Sequence, residues 1–117
     1  SNNAFSIAST IIGTVIGFMT GIYIPIGQLP EGVQWVIKLF PPSHSALLLR
    51  QVIMGDALTT SFAGAPADAL NSFKELMGVT FKIGETQVTP MLSITILVLA
   101  GFVFLGLSMI NLSRKRK

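Results

Sequence analysis

Cysteine is absent from this 117-residue chain, and histidine, tryptophan and tyrosine occur once each. The missing thiols exclude a disulfide framework and thiolate metal ligation, although they do not identify a compartment. His44, the single histidine, has no cysteine and no closely spaced carboxylate pair with which to share an ion, so no metal site is expected. Charge is scarce as well: 11% of residues carry it, and none lies in Ser1–Pro30 or in Thr86–Ser113. No Gly-x-x-x-x-Gly-Lys-Ser/Thr loop occurs, so the chain has no P-loop of its own. Ser43 beside His44 does not make a hydrolase, because adjacency in sequence supplies neither the orienting acid nor an oxyanion hole. No catalytic, cofactor-binding or metal-ligating residue is therefore expected.

Half of the residues are hydrophobic and the mean hydropathy is +0.69. As helices, Ala4–Ile26 would reach about 34 Å and Met91–Leu112 about 33 Å at ~1.5 Å per residue. A hydrocarbon core is about 30 Å thick and leaves backbone N–H and C=O groups without water, which favours a helix in each stretch. Too few charged residues remain to give such helices the polar face of a soluble domain. The expectation is an all-α, integral membrane fold with crossings near 4–26 and 91–112, hence a multi-pass protein of the cell membrane.

The net charge of +3 is concentrated at one end. Four of the eight Lys and Arg residues are Arg114–Lys117, while Glu31–Glu85 holds four basic and five acidic residues. A basic cluster directly after an apolar helix marks the cytoplasmic side, which places the C-terminus and Ser1 inside and residues 27–89 outside. Such a run can also bind nucleic acid or anionic lipid; abutting a crossing, it reads as a stop-transfer signal, and no nucleic-acid partner is expected. The start has no initiator Met, no basic n-region and no cleavage site of a signal peptide, and the chain is read as the C-terminal part of a longer polypeptide.

The two crossings differ in kind. Ser6, Thr10, Gly13, Gly17, Thr20 and Gly21 fall on one face of the first, opposite Ile7, Ile11, Val15, Phe18 and Ile22. Gly13-x-x-x-Gly17-x-x-x-Gly21 is a doubled small-residue spacing that favours close backbone approach in lipid. The stripe could pack on a neighbouring helix, line a path, or meet a second subunit. The last crossing is apolar all round and should face lipid.

Between them, Pro25 and Gly27 are expected to stop the first helix, and Pro30 to open a short one rich in Val33, Trp35, Val36, Ile37, Leu39 and Phe40. Pro41-Pro42 ends that helix, and a second short one is expected from Ser43, as N-cap, to Gly55. Each would span about 15 Å, half a bilayer. The pair near 30–55 thus reads as a re-entrant hairpin built around Pro41, Pro42, Ser43, His44 and Arg50, with its turn covered by protein. Arg50 should anchor at the outer interface, or pair with Asp56 or Glu31, or line the outer exit of a path, since mid-depth placement costs about 2.5–3.5 kcal/mol even on the gentler scale. Trp35 and Tyr23 read as interfacial belt residues. Ala65-Pro66 opens a helix whose Ala69, Leu70, Phe73, Leu76 and Met77 share a face up to Gly78, as in a short outer amphipathic helix. Val79–Ile83 alternates like a short strand.

Taken in order, Gly21–Pro30, Val33–Ile37, Phe40-Pro-Pro-Ser-His44 and Leu49-Arg-Gln51 resemble the C-terminal half of a type-2 ABC exporter permease of the bacterial drug-efflux kind. The resemblance covers essentially the whole chain, 1–117: a penultimate crossing, a broken outer helix pair, an outer loop and a final crossing with a basic tail. It implies a membrane-spanning part of a translocation pathway, a second permease copy or half-transporter as partner, and ATP bound and hydrolysed on a separate ATPase subunit. The earlier crossings and the helix that would meet the ATPase are not in this sequence. The competing reading is a small structural or accessory membrane hairpin with no transport path of its own.

Overall fold

A computed structural model describes residues 1–116. The described residues are helical, with five α-helices, α1 (Asn2–Met19), α2 (Glu31–Leu39), α3 (Pro41–Ser61), α4 (Ala67–Leu76) and α5 (Pro90–Lys115), a 3₁₀ turn at Ile26–Gln28, and strands β1 (Lys82–Ile83) and β2 (Thr86–Gln87). α1 and α5 are long and apolar enough to cross a membrane, and almost none of either is buried within the chain. The molecule is elongated, 65 × 28 × 27 Å. Residues 20–89 gather at one end as a cap on the two long helices.

α1 stops at Met19, short of the expected Ile26, because Gly21 (φ +76°) takes the left-handed conformation immediately after the Thr20 C-cap. The Ile22 N–H bonds the Gly17 carbonyl at 3.1 Å and the Gly21 N–H the Phe18 carbonyl at 3.3 Å, the paired closure of a Schellman end. Pro25 comes too late to be the stop signal, and α1 is nearer 27 Å long than 34 Å.

α3 begins at Pro41, not at Ser43. The first two positions of a helix have no intrahelical use for an N–H, so two prolines fit there, and Phe40 (ψ 115°) makes the break from α2. Ser43 lies inside the helix. Nor does Gly55 end it: Leu47, Met54 and Leu58 continue one inward stripe, and the helix runs to Ser61, about 31 Å. The half-bilayer length assigned to this helix is therefore corrected.

α4 half-buries Leu70, Phe73, Leu76 and Met77 of its expected face, with Phe73 5.3 Å from Phe62, while Ala69 is exposed. It too ends in a Schellman closure at Gly78 (φ +70°), with the Val79 N–H on the Lys74 carbonyl at 2.8 Å. The expected strand shrinks to Lys82–Ile83, paired antiparallel with Thr86–Gln87 around Gly84 (φ +62°), the glycine-first form of a two-residue hairpin. Ile26, Ile37, Leu47, Phe81 and Val88 form the core. It lies wholly in the cap.

Candidate functional site

α3 is the hub of the cap, and four of its side chains reach out to other elements. Ser43 Oγ donates to the Met19 carbonyl at 3.0 Å, tying α3 to the end of α1. His44 Nε2 lies 2.8 Å from the Lys38 carbonyl; a carbonyl only accepts, so Nε2 carries the proton. In the neutral ring Nδ1 then accepts from Ser93 Oγ at 3.0 Å, joining α2, α3 and α5. His44 and Ser93 have no exposed surface, and the ring stands edge-on to Phe81 at 5.7 Å. This Ser–His pair is a structural clamp, with a carbonyl where an orienting acid would stand.

Arg50 sits where two helices end. Its Nη2 donates to the Thr20 carbonyl, the C-cap of α1, at 2.6 Å. Its Nη1 is buried beside Gly78 at the C-terminus of α4, with no hydrogen-bond partner among the described residues. Helix C-termini carry partial negative charge, and a cation there contributes about 0.3–1 kcal/mol each, up to ~2 when partly buried. That field is what Nη1 meets in place of an acceptor. Gln51 completes the fastening by donating Nε2–H to the Val79 carbonyl at 3.0 Å. A Cβ at Gly21 or at Gly78 would stand 2.7 Å from Ile26 and within 3.4 Å of the guanidinium, so both glycines serve their positive φ and this close approach together. The expected partners Asp56 and Glu31 are not used: among the described residues the one ion pair is Lys82 with Glu75. That hydrogen bond and the carboxylate charge hold the Lys82 ammonium above its ordinary range.

The inward face of α3 thus holds Ser43, His44, Arg50 and Gln51, whereas Leu49, Val52 and Ile53 on its outward face are exposed, Val52 by 84%. The inward face also buries Leu47 and Leu58, and Ser45, Asp56, Thr59 and Thr60 are exposed, so α3 carries apolar and polar groups on both faces.

The small-residue stripe of α1 divides. Ser6, Thr10 and Gly13 are exposed, nothing lies within 4 Å of a Cβ at Gly13, and the Thr10 hydroxyl donates back to the Ser6 carbonyl. Gly17 and Thr20 are buried, but by the chain itself: the Tyr23 ring lies 2.6 Å from a Cβ at Gly17 and stacks obliquely on Phe18 at 4.9 Å. Gly21 terminates the helix.

Pro41 and Pro42 line one groove with Ile11–Ile16 of α1 and Phe104 of α5, while Arg50 meets Thr20. The turn therefore lies on the Ile11–Ile16 side of the level at which Arg50 meets Thr20, with neighbouring Ser43 held at Met19. Ser93, Gln51 and the convergence on Arg50 were missed in sequence. Ser93 had one weak signal, a hydroxyl in the apolar opening turns of α5, which it shares with Thr95. Among the described residues no cluster of His, Asp or Glu could hold a metal. Comparison with protein-family models, with curated proteins and with solved structures gave no match to this chain.

Proposed function

We propose that this chain is the C-terminal part of the transmembrane domain of an ATP-driven ABC exporter permease and forms part of its translocation pathway. The observation that carries the membrane half of this reading is the pair of long apolar helices α1 and α5, almost nothing of either being buried within the chain, with Leu49, Val52 and Ile53 of α3 exposed beside them. A bilayer rewards that arrangement and water does not. The permease half rests on the order of the elements and on the motif resemblance. In this reading α1 and α5 cross the cell membrane, residues 20–89 form the outer cap, and Arg114–Lys117 are cytoplasmic. The α2–α3 pair is re-entrant: Pro41–Pro42 dips beside Ile11–Ile16 while Arg50 stays level with the end of α1. Ser6, Thr10 and Gly13 remain open for a neighbouring helix, a second permease copy, or the path. ATP binding and hydrolysis belong to a separate ATPase subunit.

Two measurements test this. Cysteines at Asp68 and after Ser113 are probed in intact cells with an impermeant thiol reagent; labelling at position 68 alone is expected, and labelling of the tail alone would reverse the orientation. The coding frame upstream of Ser1 is then read. Further apolar crossings support the permease, whereas a start codon just before Ser1 leaves the accessory hairpin.

A further inference from the structure

The groove beside the Pro41-Pro42 turn has about 410 Å³ of free volume and no polar atom on its walls. Its chemistry follows from how the backbone is broken there. Where one helix stops and the next starts, N–H donors ordinarily need partners, and lipid supplies none. Here the break exposes no donor. Phe40 N–H bonds the Ile37 carbonyl at 3.1 Å, Pro41 and Pro42 have no N–H, and Ser43 N–H bonds the Phe40 carbonyl at 3.0 Å. The three residues at the break are half-buried, not covered as the sequence led us to expect. On the donor side, the turn therefore presents nothing that hydrocarbon would leave unpaired.

We propose that this groove holds a single acyl chain of a bilayer phospholipid, seated between Val15 and Ile16 of α1, Phe104 of α5 and the proline floor. The inference rests on the reading of α1 and α5 as membrane-spanning and adds a specific lipid site to it. Two features select this occupant. The walls offer no group that could recognise a polar ligand, and the volume is at the small end of ligand cavities, ~300–1,000 Å³. Eight side chains line the groove, far below the roughly 20–30 residues a side of a stable protein–protein interface. Its position beside Ile11–Ile16, inward of the C-terminal end of α1, puts it at the depth of lipid tails rather than headgroups.

The 117-residue chain in phosphatidylcholine liposomes, doped with a phosphatidylcholine carrying a mid-tail diazirine, is irradiated and its adducts are mapped by mass spectrometry. Adducts at Ile11–Ile16 and Phe40–Pro42 should exceed those at exposed Phe102 by at least about fivefold, a preference of about 1 kcal/mol. Val15→Trp, which fills the groove, should abolish that excess while leaving the Phe102 adducts unchanged. Even labelling along α1 and α5 would overturn the lipid site and leave the membrane reading standing; labelling of neither helix would remove the membrane reading itself. A disulfide between copies of a Val15→Cys variant, with no excess of adducts at the groove, would assign the groove to a second copy and overturn the proposal.

Discussion

In the cap, Ile37, Leu47 and His44 leave no surface uncovered, whereas along α5 Phe102 and Phe104 each expose 67% of theirs. Both regions are helical and both are rich in apolar residues, yet only the first has a core. Side-chain packing and main-chain ties shape the cap. The long helices depend on their own backbone ladders and on whatever surrounds them, since a bilayer asks only that every N–H and C=O be satisfied. One chain thus contains two folding problems, and substitutions should be felt very differently in each.

The largest separation is expected at the Schellman glycine of α4. Gly78→Val forces a β-branched residue into φ +70° against Ile26, adding left-handed strain of about 1–3 kcal/mol to overpacking of similar size, so the cap should lose roughly 2–6 kcal/mol. Circular dichroism in detergent should still report helical α1 and α5, while trypsin cuts newly at Lys74 and Lys82. A direct contrast comes next. Leu47→Ala should cost roughly 2–5 kcal/mol in a denaturant titration of the chain in micelles, and Phe102→Ala within about 0.5; equal effects would mean that the two regions are not distinct.

Arg50→Gln should cost about 1.5–3 kcal/mol by removing a charge-assisted bond to Thr20. Arg50→Lys should recover only part of it, because an ammonium cannot reach both helix ends as the guanidinium fork does. The readout is protease susceptibility of the loop after α1. Gly17→Leu lies on the border between the regions and should cost about 1 kcal/mol by displacing Tyr23, with Tyr23→Ala rescuing it and Ile16→Leu silent. Failure of the rescue would return Gly17 to a contact with another helix.

The smallest effect concerns Lys82 and Glu75. The folded pKa of Lys82 is raised, so the contribution of the pair is complete below the unfolded lysine value, ~10.4, and is lost as pH climbs through the folded one. The melting midpoint of the cap in the wild type should lie slightly above that of Glu75→Gln at neutral pH, and the two should converge in strong alkali. A constant difference at every pH would detach the pair from stability.

Much of the architecture was legible because it is written in long-range averages. Uncharged length marks α1 and α5, the 3.6-residue period marks α4, and Pro41-Pro42 marks the break. The failures were local. The Thr20-Gly21 pair ends α1 by a left-handed turn that an apolar run of the same composition conceals, whereas Pro25 carries the plainer stop signal. Gly55 resembled a stop, but nothing packs where its Cβ would be and the inward stripe continues beyond it. The partners of Arg50 were sought among carboxylates, whereas the structure supplies a carbonyl that every residue type possesses. The His44–Ser93 contact joins residues 49 apart in sequence, a distance no periodicity spans.

Of the five ties that α3 makes, those of Ser43, Arg50 and Gln51 and one of the two from His44 end on main-chain oxygens; Ser93 alone answers with a side chain. The donor side of the cap is therefore specified letter by letter, while Met19, Lys38, Thr20 and Val79 serve through atoms that no substitution except a distortion of the backbone can remove. In a saturation scan, intolerance at these fastenings should crowd onto one helix and be nearly silent at the addresses it holds. Paired-substitution statistics across relatives would find only the His44–Ser93 couple to report, and would understate how tightly the cap is assembled.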